Sequence, residues 1–308
     1  MREGYCKQIC HPSRILKNSI LSFSTTYHSR NRNREGCEGY FEKKNFFMRK
    51  ENALKQRKNR ENSWLFQYFF VFLPYQSVRF NRKRKFIMKI IVSEEIESVC
   101  PTFVGACVEA NVVNTPYCQE LWDEIHALGE KYKETLTTES LKEMSGIAAT
   151  RKVYRARGKD PSRYRPASEA LIRRMLQGKE LYQRDTLVDL VNLASIAYGY
   201  SIGGFDADKF EGDTLTLGVG KAGEPYEGIG RGMINIEGLP VYRDKIGGVG
   251  TPTSDNERTK MNSYTTHLVV LINGYDGDEQ HVRENAEFII QLLKKYCQSD
   301  GGSYFIYK

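Results

Sequence analysis

Apolar residues recur along this chain in two rhythms, and the change of rhythm predicts its elements. Residues 89–92 and 103–113 are mostly apolar runs, the second interrupted by Glu109, and both read as strands. Pro116 precedes a helical pattern over 119–132, and a second runs from Thr138 to Arg157, with Glu139 and Ser140 in its first turn and a break near Gly146. Pro161 and Pro166 bracket a loop, after which Ser168 is the expected N-cap of a helix ending near Gly178. Leu187, Leu190, Val191, Ala194 and Tyr198 then share one helical face before Gly199 stops it. Beyond Gly199 the period shortens. Residues 214–217, 233–236, 241–243 and 268–272 read as short strands between glycine turns, the last fully apolar and therefore central. A final helix over 278–297 turns Val282, Phe288, Ile289, Leu292 and Leu293 inward and ends in Lys294 and Lys295, where cations suit the helix dipole. An edge or returning strand at 304–307 closes the chain. Helices first and sheet second make an α+β domain, with an N-terminal helical part and a C-terminal mixed or antiparallel sheet.

Charge separates the chain at Met88. Residues 1–87 carry 20 Lys and Arg against six Glu and no Asp, whereas residues 88–308 carry 26 basic and 32 acidic residues. The formal net charge of +8 therefore belongs to a basic leader ahead of an acidic domain. The leader shows neither the helical nor the strand period, and its default reading is a disordered or non-native segment, the natural start being Met88. A disordered RNA-contacting arm stays open. Six Glu argue against a transit peptide, and Gln67, Pro74 and Gln76 interrupt the apolar stretch at 64–78, so no membrane anchor is expected. Residues 88–308 suit one domain with a proper core.

Candidate chemistry is sparse. Cys100, Cys107, Cys118 and Cys297 follow no metal-ligand spacing, and no secretory signal precedes them, so reduced thiols in a cytoplasmic protein are expected. Cys6, Cys10 and His11 form a cluster without a second ligand group, and neither a metal nor a cofactor is implied. Positive charge is concentrated in Arg151, Lys152, Arg155, Arg157, Lys159, Arg163, Arg165, Arg173 and Arg174, opposed by Asp160 and Glu169 and interleaved with Tyr154 and Tyr164. Such a patch attracts phosphates while tyrosine offers a stacking face, and a solvated face held by ion pairs is the competing account. Gly218 to Gly223 matches the spacing of a dinucleotide fingerprint but leads into Glu224 and Pro225 instead of a helix. That stretch and the one from Gly228 to Gly232 read better as sheet turns. Asp189, Asn192 and Ser195 recur every third residue beside an apolar helical face, where they either fix neighbouring loops or line a pocket.

The order of several motifs carries a resemblance. The helical Leu187-Val188-Asp189-Leu190-Val191-Asn192, then Ile202-Gly203-Gly204-Phe205-Asp206-Ala207-Asp208-Lys209-Phe210, then Gly247-Gly248, resemble the editing domain (B3/B4) of the bacterial phenylalanyl-tRNA synthetase β subunit, with its Val-Asp-x-x-Asn and His-Ala-Phe-Asp-x-Asp-Lys-Leu. Residues 158–166 and 254–259 resemble a free-standing branch of that family, and the resemblance covers roughly 150–273. It implies a module that binds the acceptor end of tRNA and, in the synthetase, hydrolyses tyrosine wrongly attached to phenylalanine tRNA. Its pocket positions fall on Asn192, Gly204, Gly247 and Gly248, beside which Gly203 and Thr265 are further pocket candidates; the cation cluster read above supplies the RNA-binding candidates Arg151, Arg155, Arg163, Arg165, Arg173 and Arg174. Backbone amides at Gly203-Gly204 or Gly247-Gly248 would hold an oxyanion, with Asn192 or Thr265 placing water. Gly203 stands where the family has its histidine, and no acid that would read a tyrosine hydroxyl is found near 263–266; His267 lies outside the motif. Hydrolysis of mischarged tRNA in trans, non-catalytic binding of tRNA or an amino-acid-like ligand, and a scaffold that docks a protein partner all remain open, and the identity of any protein partner is unknown.

Overall fold

The computed structural model describes residues 88–308. The leader and its Cys6, Cys10 and His11 lie outside them. Among the described residues, eleven strands form two principal sheets and a two-stranded ribbon. One sheet holds β1 (Lys89–Val92), β4 (Thr214–Val219), β7 (Pro240–Arg243), β8 (Gly248–Thr251) and β9 (Ser254–Asp255) in the order β1-β4-β7-β8-β9. Only β1 with β4 pairs in parallel; the rest of this sheet is antiparallel. The other sheet is wholly antiparallel, in the order β11-β2-β10-β3, from β2 (Val104–Asn111), β3 (Ile202–Asp206), β10 (His267–Gly274) and β11 (Ser303–Tyr307). The ribbon is β5 (Glu227–Gly228) with β6 (Gly232–Met233).

The helices are α1 (Glu94–Glu97), α2 (Gln119–Thr135), α3 (Ser145–Ala156), α4 (Ala167–Leu176), α5 (Thr186–Tyr198) and α6 (Glu279–Tyr296). Alternation along the central strands explains the layering. Ala106, Val108, Leu268, Val270 and Ile272 face a core built with α2, α4, α5 and α6, whereas Cys107, Phe205, Val269 and Leu271 face Leu215, Leu217 and Val249 of the five-stranded sheet. The apolar run of β10 is therefore buried on both sides, with Leu268 through Ile272 at most 1% exposed. Tyr242 stitches the sheets together, donating to Asn273 Oδ1 at 2.8 Å and lying 2.6 Å from the Tyr307 hydroxyl.

The α+β class holds, but the order of helices before sheet does not describe the packing: β2 precedes most of the helices and sits between β11 and β10. Four local expectations change. Ser168 does not cap α4, which begins at Ala167 after Pro166; Ser168 is buried in the first turn with its hydroxyl 3.3 Å from that of Ser201. Asp185 caps α5, accepting from Val188 N, and Gly199 ends that helix at φ 73°. The 138–157 stretch breaks at Met144, between a 3₁₀ turn at Ser140–Glu143 and α3, and Gly146 lies inside α3, where a Cβ would fall 2.6 Å from the Tyr200 ring. The expected strand at 233–236 shrinks to Gly232–Met233, and the run 202–206, read only as a close backbone approach, is a strand. No helix among the described residues is long and apolar enough to cross a membrane.

Candidate functional site

The polar face of α5 resolves into two residues that fasten neighbouring segments and one that is left uncommitted. Asp189 is buried, accepts from Trp122 Nε1 at 2.8 Å and Arg184 N at 3.2 Å, and is pushed up to about 6 by burial. Ser195 donates to Tyr200 O at 2.7 Å. Half-buried Asn192 makes no side-chain hydrogen bond among the described residues. Its neighbour Val191 covers Gly204 of β3 together with Met261.

Gly203 and Gly204 lie on β3, paired with Leu271 and Val270. The outward N–H of Gly204 donates to Asp255 Oδ2 at 3.3 Å. Gly203 is glycine for a packing reason: a Cβ there would lie 2.6 Å from the Phe205 ring and 3.2 Å from Asp255 Oδ1. The same ring and the same carboxylate oxygen crowd Gly250, at 2.5 and 3.0 Å. Asp255 is thus held between two side-chain-free backbones of different sheets, and burial pushes its carboxyl up to about 8 against the single Gly204 N–H that favours the charged form. A carboxyl so placed is protonated at neutral pH, a hydrogen-bond donor below its midpoint and a base above it.

The other expected pocket positions lie elsewhere. Gly247 closes a tight loop on Asp244, whose Oδ1 accepts its N–H at 3.1 Å, and Gly248 makes room for the Tyr226 ring. Thr265 donates its hydroxyl to Asp206 Oδ2 at 3.0 Å and accepts from Asn262 N. His267 pairs with Asp208 at 2.8 Å on an exposed part of β10. The structure brings Gly203 and Gly204 up against Asp255 and Gly250, while Thr265 is tied to Asp206 at the end of the same strand. Asp255 was present in the sequence only inside a motif noted for resemblance, and Gly250 one residue beyond the Gly247-Gly248 pair and Val249. Strand pairing of β8 with β9, invisible in periodicity over two-residue strands, makes them opposite partners.

The cation cluster divides by environment. Arg151 and Arg165 both approach Glu169, which is 1% exposed, at 2.9 and 3.4 Å, and so hold a buried carboxylate. Arg174 donates to Glu180 O and lies 4.0 Å above the Tyr182 ring, and half-buried Arg173 forms no ion pair among the described residues. Lys152, Arg155 and Arg163 are exposed, and Lys159 stands 4.4 Å over the Tyr164 ring. The loop bearing Lys159, Arg163 and Tyr164 is fastened to the β8–β9 turn: Thr253 Oγ1 donates to Tyr164 O at 3.0 Å, and its 2.8 Å partner is the buried Tyr154 hydroxyl. On the other flank Ile229 N donates to Asp255 O at 3.0 Å, which fixes the β5–β6 hairpin beside the same turn. Exposed cations, a tyrosine ring and a protonatable carboxyl therefore occupy one edge of the sheets.

A cleft of about 260 Å³ opens in the helical layer, lined by Trp122, His126, Glu130, Lys133, Met175 and Lys179 among others. None of its residues belongs to the Asp255 edge. No group of three His, Cys, Asp or Glu among the described residues is arranged to hold a metal, and the four cysteines described are free thiols.

Comparison with known proteins gives a match to a domain model and a distant structural likeness. A search of curated protein sequences finds no match. Among solved structures, the chain is similar to an N-terminal fragment of the phenylalanyl-tRNA synthetase beta subunit from Pyrococcus horikoshii, with 14% identity and a TM-score of 0.37. The match covers 70% of this chain and 50% of that one, so this chain spans half of its length. Residues 149–298, which contain the cation loop, both glycine-crossed strands and the Asp255 turn, match the model of the B3/4 domain. The likeness to the B3/4 domain is carried by these residues, just under half of the chain.

Proposed function

We propose that this protein binds the acceptor end of a tRNA along the edge where the loop at 159–165 meets the β8–β9 turn. The observation that carries this reading is the attachment of that cation loop, through Tyr164 and Thr253, to the turn that holds Asp255, within a B3/4 domain. Exposed Arg155, Arg163 and Lys152 meet phosphates, and Tyr164 supplies a face for an unpaired base. The acidic remainder of the domain confines a polyanion to this edge.

Hydrolysis of the aminoacyl ester is a second reading, favoured by Asp255 itself. In it, the ionised carboxylate takes a proton from water, the hydroxide oxygen bonds to the ester carbonyl carbon, the bond to the ribose oxygen breaks and that oxygen receives the proton. The Gly204 amide is not available for an oxyanion in this arrangement, since it is already committed to Asp255. Incubating the full chain with correctly and wrongly charged tRNAs, across pH and beside Asp255→Asn, separates the readings. Hydrolysis of one mischarged species, with a rate rising through about pH 8 and lost in the variant, establishes an editing deacylase. Intact esters with measurable tRNA binding establish a binding module. Absence of binding to any tRNA defeats both.

A further inference from the structure

The hairpin on the other side of Asp255 has features that the turn itself does not require. Its sequence is Glu227-Gly228-Ile229-Gly230-Arg231-Gly232-Met233. The base is fastened firmly: Ile229 N donates to Asp255 O, Gly228 bridges Asn256, and Tyr226 donates from its hydroxyl to Ser254 O at 2.7 Å. The tip is bare. Arg231 is exposed; its amide donates to Gly228 O at 2.9 Å, but its guanidinium makes neither a hydrogen bond nor an ion pair among the described residues, and Glu227 is the one acid in the hairpin. Gly230 and Gly232 adopt φ of 65° and 66°, and nothing lies within 4 Å of where their side chains would be. Ile229 and Met233, 41% and 68% exposed, flank the tip. A long cation without a partner, between two glycines that leave the backbone uncovered, is poorly explained by folding, since it buries nothing and satisfies no group.

Its position suggests what it meets. Burial holds the Tyr154 phenol well above its ordinary value and the nearby Arg231 charge only partly opposes this, which sets Arg231 on the Tyr154 side; Tyr154 in turn contacts Thr253, two residues before Asp255. Arg231 and the loop of Lys159 and Arg163 thus flank one turn from two sides. We propose that the β5–β6 hairpin is a phosphate clamp for the single-stranded 3′ end of the RNA, with Arg231 paired to a backbone phosphate while the exposed cations of the 152–163 segment hold the duplex. Guanidinium geometry suits a phosphate better than an ammonium would, and the open glycine backbone lets a nucleic-acid strand pass close to the tip.

This inference rests on the tRNA-binding reading above, and the test keeps the two distinguishable. Binding of the full chain is measured against an acceptor-stem hairpin RNA with its single-stranded 3′ end and against the same RNA with that end removed, at several salt concentrations. Arg231→Ala is expected to weaken binding of the intact RNA about tenfold, and to lower its log-log salt slope by about 0.7, the value for one single-strand phosphate. The truncated RNA should bind the variant and the unmodified protein alike. Arg231→Lys should recover part of the affinity. Unchanged binding of the intact RNA by Arg231→Ala overturns the clamp and leaves the RNA reading standing. Equal weakening on both RNAs places Arg231 on the duplex and overturns the 3′-end assignment. Failure of the unmodified protein to bind either RNA removes the underlying reading, and the clamp with it.

Discussion

Asp255 shows how one residue can acquire a role that its sequence neighbourhood does not announce. Its carboxyl departs from the ordinary value of 3.8 because it is enclosed by the Phe205 ring and the backbones at Gly203 and Gly250, with one amide in compensation. The unfolded chain loses that proton near 3.8 and the folded protein near 8, so folding binds a proton between those values. The stability contributed by the protonated group is complete below the lower value and is lost as pH rises towards the upper one, by at most about 1.4 kcal/mol per pH unit. Asp255→Asn should remove this component, which urea unfolding at pH 5, 6 and 7 would reveal as a flatter stability profile; parallel profiles for variant and parent would contradict the buried protonated state. The sequence could not supply this, because desolvation is set by atoms brought from β3 and β8. By contrast the reading of Asp189 and Ser195 as residues that fix neighbouring segments was available from their spacing beside an apolar face, since buried polar groups must find partners.

At the scale of elements, long amphipathic segments were legible and short paired ones were not. α2, α5 and α6 follow from a 3.6-residue period, and the continuous apolar run of β10 marks a strand covered on both faces. β3, rich in glycine, and β9, two residues long, carry no period of their own and exist through their partners. Glycines with the same look in sequence also differ in what they do. A Cβ at Gly220 would fall 1.9 Å from the Ile236 carbonyl oxygen, where the chain after β4 runs beside residues 236–239, whereas a Cβ at Gly247 would meet nothing within 4 Å and needs no left-handed backbone. Gly220→Ala is therefore expected to cost about 1–3 kcal/mol or more through forced backbone separation, and Gly247→Ala to stay within about 0.5 kcal/mol. Thermal or urea unfolding of the two variants checks this, and a costly Gly247→Ala would show that the loop on Asp244 tolerates no side chain there.

For the whole molecule, the decisive quantity is how nine clustered cations are spent. Arg151 and Arg165 neutralise Glu169 in the interior, while Arg155 and Arg163 face solvent. Replacing both Arg151 and Arg165 by alanine should leave Glu169 an unpaired buried charge and cost about 3–5 kcal/mol of stability. Replacing Arg155 and Arg163 should leave unfolding nearly unchanged and lower the salt slope of RNA binding by about 0.7 to 0.9 for each phosphate that is no longer neutralised. Denaturation and binding measured on the two double variants test the partition; stable proteins with equally weakened RNA binding would refute it. By itself the sequence determined the α+β class, the main helices, the buried central strand, the charge division at Met88 and the motif order that resembles the B3/B4 editing domain, because periodicity, composition and residue order are local properties of a chain. Only the tertiary structure decided which cations are free, that Gly250 and Asp255 adjoin Gly203 and Gly204, and that the hairpin bearing Arg231 is fastened to Asp255. Those outcomes depend on which distant segments become neighbours, and burial, ion pairing and proton affinity follow from that proximity.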